Sequence, residues 1–320
     1  MNKNLTSIVL SAFLTASVSA CAPKGFVSQP TFESGQYTFR DPDQAAETLR
    51  KAVEAQDKET LTKIFGPRSA EFLSTGDAAT DSDIMKTFAT RMEEEVDIVE
   101  TTNPNPALKN QRLAFLLVGE QHYPFPIALY RRANGWRFDT AVGKEEIVDR
   151  RIGRNEIKTI GVTQRYVEAQ HAYRALQARE GKVAQFARTF YSTPGNHDGL
   201  YWDSEPGQPS SPLGASVAAA SRERTPHTTP RPLFGYHYAI LTSQGPHARG
   251  GALSYVDSKG LMSRGFALVA YPATYGSSGV ATFLVGPDGV VYEKNLGPQT
   301  EKIARAMKKF DPDLSWTPVR

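Results

Sequence analysis

Between residues 41 and 92 the apolar side chains recur every three to four positions, and from Val96 they recur every second position. A helix repeats every 3.6 residues and a strand every two, so the chain must build helices first and a sheet afterwards. Asp41-Pro42-Asp43-Gln44 supplies an N-cap, a proline in the first turn and a glutamine three residues after the cap. With Ala45, Ala46, Leu49 and Val53 as its apolar stripe, this predicts a helix from Pro42 to about Ala55. A second start at Asp57 runs through Leu61, Ile64 and Phe65 to Gly66, which suits a C-terminal cap. Ile84, Phe88 and Met92 mark a third helix, with Asp81 or Asp83 near its start. Strands follow at Val96 and Ile98, Leu113–Val118, Ile127–Tyr130 and Trp136–Phe138. Ala133-Asn134-Gly135 joins the last two as a hairpin. The expectation is an α+β domain over 41–142, with a curled antiparallel sheet.

A second domain, 143–320, opens with a long helical run to about Arg179, closed by Gly181. Ile147, Ile152, Ile157, Ile160, Val167, Tyr173 and Leu176 form an approximate stripe, and Gly153 is a place where the run could break near Asn155. A Pro/Ser-rich loop occupies 203–232, and Ser211-Pro212 reads as the cap of a short helix through Ala218-Ala219-Ala220. Strands are expected at Tyr236–Leu241, Leu253–Val256, Phe266–Tyr271, Val280–Val285 and Val290–Tyr292. Gly286-Pro287-Asp288-Gly289 is the turn between the last two, and a closing helix covers Thr300–Phe310.

The start of the chain reads differently. Lys3, an apolar stretch from Leu5 to Val18, then Val18-Ser19-Ala20-Cys21 read as a secretory leader over residues 1–20. The stretch falls short of the roughly 20 apolar residues that a membrane span needs. Small residues ahead of the chain's single cysteine resemble the lipobox of bacterial lipoproteins, which marks Cys21 for lipid attachment. An ordinary signal peptidase would also accept Val18-Ser19-Ala20. One cysteine excludes an intrachain disulfide. Residues 21–40, with Pro23, Pro30 and scattered Ser/Thr, read as a tether. Ala22-Pro23 after Cys21 carries no Asp of the kind that resembles an inner-membrane retention signal, so the expected place is the outer membrane, facing the periplasm. The partners expected are therefore the membrane, through the N-terminal lipid, and other envelope proteins. Lys plus Arg is 37 against 34 for Asp plus Glu, and the net charge of +3 gives no footprint for nucleic acid.

Several phrases resemble one family. Glu145-Glu146-Ile147, Arg150-Arg151-Ile152-Gly153-Arg154-Asn155-Glu156, Ala169-Gln170, Asp198-Gly199-Leu200-Tyr201-Trp202, Ser211-Pro212-Leu213-Gly214 and Tyr275-Gly276 look like those of the bacterial envelope family termed domain of unknown function 2950. The resemblance spans nearly all of 40–317. It implies location and fold but no chemistry. His122-Tyr123-Pro124 departs from it, where Trp is expected before the proline. The helix-then-sheet order of 41–142 resembles the nuclear-transport-factor-like cone. In the second domain, Asn155-Glu156 leading a long helix, with Phe266–Pro272 and Val280–Phe283 as closing strands, resembles the globular domain of type IV pilins and pseudopilins. Both are analogies of fold.

Candidates for chemistry are few. No phosphate-cradling glycine loop, zincin histidine pair or Gly-x-Ser-x-Gly elbow occurs. The six histidines show no metal-ligand spacing, so no metal or cofactor is read from the sequence, although a zinc site assembled from distant strands would leave no such trace. His197-Asp198, with Tyr201 and Trp202, has two readings: a general base with an aromatic wall, or a turn whose aromatics plug the core. Arg151 lies in a charged cluster that would hold an anionic ligand or form surface ion pairs. Ser277-Ser278 would offer a hydroxyl nucleophile or a plain loop. Tyr236, Tyr238 and Tyr271, with Tyr255 and Phe266, would line one face of the last sheet. The function expected is non-catalytic binding or scaffolding in the envelope. The rivals are a hydrolase using His197 and Asp198, or an accessory subunit of a pilus or secretion apparatus.

Overall fold

The computed structural model describes residues 34–69, 73, 78–103, 106–204, 207, 209–221 and 232–319. Cys21, the leader and most of the tether lie outside the described residues. The chain divides into two compact units between Ile147 and Val148.

In the first unit, α1 (Pro42–Glu54) begins where Asp41 accepts a hydrogen bond from Gln44 N at 2.8 Å. The Gln44 side chain reaches back to the backbone N–H of Arg40 at 2.8 Å, so the two ends of the cap hold each other. Helix α2 (Lys58–Phe65) starts on Asp57 and stops at Gly66, whose φ of +93° turns the chain out of the helix. Helix α3 covers Ala78–Glu94 and starts a turn before Asp81. Strands β1 (Val96–Thr102), β2 (Arg112–Val118), β3 (Tyr123–Pro124), β4 (Leu129–Arg132) and β5 (Gly135–Phe138) form an antiparallel sheet in the order β1-β2-β4-β5, with β3 beside β2. Ala114, Leu116 and Val118 of β2 share a core with Leu49, Val53, Ile64, Phe65, Trp136 and Phe138. Leu113 and Phe115, on the other face, pack with Ala128, Tyr130 and Val142.

The end of the expected tether belongs to this unit. Phe39 and Trp136 exchange two backbone hydrogen bonds of 2.8 and 2.7 Å, and the buried Gln36 amide donates to Ile64 O and Phe138 O. Gly135 is where this edge closes: at φ +141° its missing Cβ would sit 2.3 Å from Phe39 O. The hairpin loop is thus Ala133-Asn134, and the glycine serves a close approach at the start of β5 rather than the turn itself.

Helix α4 (Thr140–Arg179) is continuous through Gly153. In the second unit its buried side is Thr159, Val162, Thr163, Tyr166, Ala169, Gln170, Tyr173 and Gln177, at steps of three and four. Ile157, a member of the expected stripe, is 72 % exposed. Ile160, Val167, Tyr173 and Leu176 of the expected stripe do meet the core, but half of the fully buried positions are polar and no apolar stripe includes them.

Strands β6 (Tyr236–Leu241), β9 (Ala267–Pro272), β10 (Ala281–Val285), β11 (Val291–Asn295) and β12 (Thr317–Pro318) make the second antiparallel sheet, in the order β12-β11-β10-β9-β6. β7 (Ser243–Gln244) and β8 (Leu253–Ser254) form a separate ribbon. Every residue of β9, an interior strand of this sheet, is buried, as a strand covered on both faces requires. Helix α5 is Ala215–Ala219 with Gly214 as its cap, so Ser211-Pro212 stands outside it. Helix α6 (Thr300–Ala306) ends before Phe310, whose backbone instead pairs with Ser243 and Gly245. The fold is α+β with two antiparallel five-stranded sheets.

The tyrosine stripe divides. Tyr236 and Tyr238 are two apart on β6 and turn toward α4, where Tyr238 Oη lies 3.4 Å from Thr159 Oγ1. Tyr271 is opposite His237 across β6 and β9, so it takes the other face. Directly opposed residues of an antiparallel pair share a face, and this pairing decides the matter. Tyr255 lies off the sheet and donates to Gln244 Oε1 at 3.0 Å.

Candidate functional site

The Asp198-Gly199-Leu200-Tyr201-Trp202 phrase packs back against the chain that descends from the C-terminal end of α4. Two glutamines on the helix's buried side organise that descent. Gln170 Nε2 donates to Ala187 O at 2.9 Å while its Oε1 accepts from Ala187 N at 2.8 Å. Gln177 Nε2 donates to His197 O at 3.1 Å. A buried amide pairing with backbone in both directions fixes a segment that has no ladder of its own.

His197 and Asp198 are adjacent but work apart. Asp198 accepts from Thr193 N at 2.6 Å and from Thr193 Oγ1 at 2.7 Å, closing the Thr193–Asp198 loop. The His197 ring stacks on Trp202 with centroids 4.2 Å apart and planes 20° from parallel, and its Nδ1 stands 3.7 Å from Glu180 Oε1. The acid beside the imidazole is therefore Glu180, just past the end of the helix, while Asp198 is bound to Thr193. Glu180 is held below the usual carboxylate range, first by its hydrogen bond to Lys182. Trp202 is 7 % exposed and its indole N–H donates to Pro209 O at 2.9 Å. Tyr201 donates to Asp203 at 2.5 Å, which raises the phenol's pKa, and meets Tyr191 edge-on. Below them Tyr173 is pushed up to about 12, by burial first and then by Asp198 and Glu180.

Arg151, the remaining predicted residue, is at a different place in the second unit. Its guanidinium donates to Ser277 O and Ser277 Oγ, both at 3.1 Å. One helical turn on, Asn155 Nδ2 donates to Ser278 O at 2.9 Å. Glu156 Oε1 accepts from Val280 N and Ala281 N, both at 2.9 Å, with Tyr236 Oη at 3.4 Å. Arg151, Asn155 and Glu156 thus clamp the loop that leads into β10, and Ser278 Oγ is engaged with Thr274. Residue typing alone did not single out Glu156. The signal was the Arg-x-x-x-Asn-Glu spacing on one helix face facing two serines set between glycines. Beside the clamp, Glu156, Ala281, Glu293, Lys294, Ser315 and Thr317 line an open polar groove of about 270 Å³.

Arg151→Ala is expected to cost only about 1 kcal/mol, the usual net worth of a partly exposed hydrogen-bond pair. Amide exchange in 274–281 should quicken while the rest of the unit is unchanged. A drop of several kcal/mol in urea unfolding would show that the clamp holds the whole sheet.

The fold and these clamps define an α+β chain in two units whose most distinctive phrases bind its own backbone. It belongs to the family described as protein of unknown function DUF2950, whose profile matches residues 36–319. No curated protein and no solved structure gives a significant match. The pilin-like reading of the second unit therefore rests on its sequence phrases alone.

Proposed function

We propose that this chain is a lipid-anchored envelope protein, facing the periplasm from the outer membrane, that binds or scaffolds other envelope components without catalysing a reaction. One observation carries the reading. Asp198, Arg151, Ser278 and the Trp202 indole, the groups that a catalytic site would need free, all hold the protein's own loops. The rival hydrolase pairs His197 with Asp198, whereas both Asp198 oxygens are engaged by Thr193 and the acid beside the ring is Glu180. The anchor is supported by the leader and by Cys21 as the lone cysteine. No helix among the described residues is long and apolar enough to cross a membrane.

Two measurements test this. Mass spectrometry of the mature amino terminus should find an acylated Cys21. Crosslinking in intact cells should then capture a restricted set of neighbours. An unacylated terminus in the osmotic-shock fraction would defeat the anchor, and capture of outer-membrane proteins merely in proportion to abundance would defeat the scaffold.

A further inference from the structure

Sequence spacing gave no metal site, yet the first unit brings three ligand types to one place. Glu95 follows α3 directly, and Asp97 is the second residue of β1. The hairpin from β2 to β3 then brings His122 over them. Gly119 N donates to Glu95 O at 2.9 Å and His122 N donates to Gly119 O at 2.8 Å, so the turn is fastened to the junction of α3 and β1 that carries both acids. One ligand atom from each of Glu95, Asp97 and His122 lies within 4.8 Å of the other two, and His122 Nδ1 is 3.0 Å from Asp97 Oδ2.

We propose that Glu95, Asp97 and His122 form a binding site for a divalent d-block cation of the zinc type. One imidazole and two carboxylates are donors such an ion accepts at about 2.0–2.2 Å, with a fourth position left for water or an incoming ligand. Ligands at that range stand about 3.3 Å apart around a tetrahedral ion, so a separation of up to 4.8 Å must close by about 1.5 Å. All three side chains are exposed and have room to do so. Charge favours the ion. Among the described residues the Asp97 carboxylate has His122 as its ion-pair partner and neither acid is paired with a Lys or Arg, so the cation enters a site of net negative charge. A hard magnesium-like ion is disfavoured, because it prefers oxygen donors throughout and keeps its waters.

The test uses the full chain with any affinity tag removed. Zn²⁺ affinity is read by competition with a chromophoric chelator, and Co²⁺ substitution is read by its visible bands. One Zn²⁺ per chain is expected. His122→Asn and Asp97→Asn should each weaken binding at least about tenfold, since loss of an outer-shell partner alone commonly costs that much, and should abolish the Co²⁺ bands. Asparagine is chosen at 122 because His122 has φ +50°, which Asn tolerates. Should either variant melt early by circular dichroism, Glu95→Gln, at the third ligand, decides the question. Binding equally tight in the variants, or no binding above their background, overturns the proposal.

Discussion

Gly199→Ala is expected to destabilise the second unit by about 3 kcal/mol or more. A Cβ at Gly199 would lie 2.4 Å from Tyr191 O, 2.5 Å from Tyr191 C and 2.7 Å from Ser192 N. All three are backbone atoms, so no side-chain rotation relieves the overlap. The two segments are also tied on both sides of the contact: Tyr201 N donates to Phe190 O at 2.7 Å, Ser192 N to Tyr201 O at 2.8 Å, and Gly199 N to Ser192 Oγ at 3.0 Å. Parting them by the ångström or so that a methyl needs would break these bonds and lift Leu200, which has no exposed surface, out of the core. Urea unfolding followed by tryptophan fluorescence, with amide exchange in 189–202 as the local probe, gives the result. Gly161→Ala, in α4 with nothing within 4 Å of the added methyl, serves as the control and should be neutral or stabilising. If Gly199→Ala unfolds within about 0.5 kcal/mol of the parent, the close approach is not what the Asp-Gly phrase is for.

How much of this was readable beforehand depends on whether the governing contacts were local. Helices α1 and α2 were legible because Asp41, Asp57 and Gly66 act on residues at most four away. The turn at Gly286–Gly289 closes on itself, with Gly289 N donating to Gly286 O at 3.1 Å, and its sequence says so. Helix α4 was legible as a helix and in most of its apolar stripe, since Ile160, Val167, Tyr173 and Leu176 meet the core, but not in Thr163, Gln170 and Gln177, which are buried for their hydrogen bonds and not for their hydrophobicity. Tyr271 was placed with Tyr236 and Tyr238 by residue type. Only the register of β6 with β9 reveals that it faces the other way.

The candidate site shows the same division. Asp198 and Trp202 were conspicuous in the sequence, and both proved to anchor a loop. Their partners, Thr193 and Pro209, are five and seven residues away, beyond the two-residue reach of an Asx turn, so neither loop closure has a local signature. Glu180 as the neighbour of His197, and Ser277 as the partner of Arg151, depend on tertiary packing across 17 and 126 positions, which no spacing rule reaches. His122 illustrates this best. In the sequence it was only the neighbour of Tyr123, which stands where the family resemblance expects Trp before the proline, and only the hairpin shows that it stands over two acids.

Asp139→Asn is expected to flatten the pH dependence of the first unit's stability, with a difference of about 3 kcal/mol between acid and alkaline conditions. Asp139 immediately precedes α4 and has no exposed surface. Its Oδ1 accepts from Val142 N at 3.3 Å, while its Oδ2 has no hydrogen-bond partner among the described residues. Burial pushes this carboxyl from 3.8 up to about 6. The amides of Val142 and Ala141 and the Arg132 guanidinium pull the other way, and Glu145 adds to the rise. A helix N-terminus favours an anion by up to about 2 kcal/mol in a partly buried setting, so the desolvation that prevails here must exceed it. The sign follows from the folded value lying above the unfolded one. Below 3.8 the carboxyl is neutral in both states and costs nothing. As pH rises toward about 6 the unfolded chain loses its proton first, and native stability falls. Above 6 the loss is complete, and the gap between 3.8 and about 6 corresponds to about 3 kcal/mol. Asparagine keeps the Oδ1 acceptor that caps the helix and removes the titration, although its amide N–H₂ would inherit the unpartnered position, so the slope is a cleaner readout than absolute stability. Urea midpoints taken from pH 4 to pH 8, with amide exchange in 127–142 reporting the first unit, should fall with pH in the parent and stay level in the variant. Parallel curves would mean that Asp139 is ionised in the folded protein at all these pH values, and that water or a cation reaches an oxygen now enclosed by the sheet and the helix start.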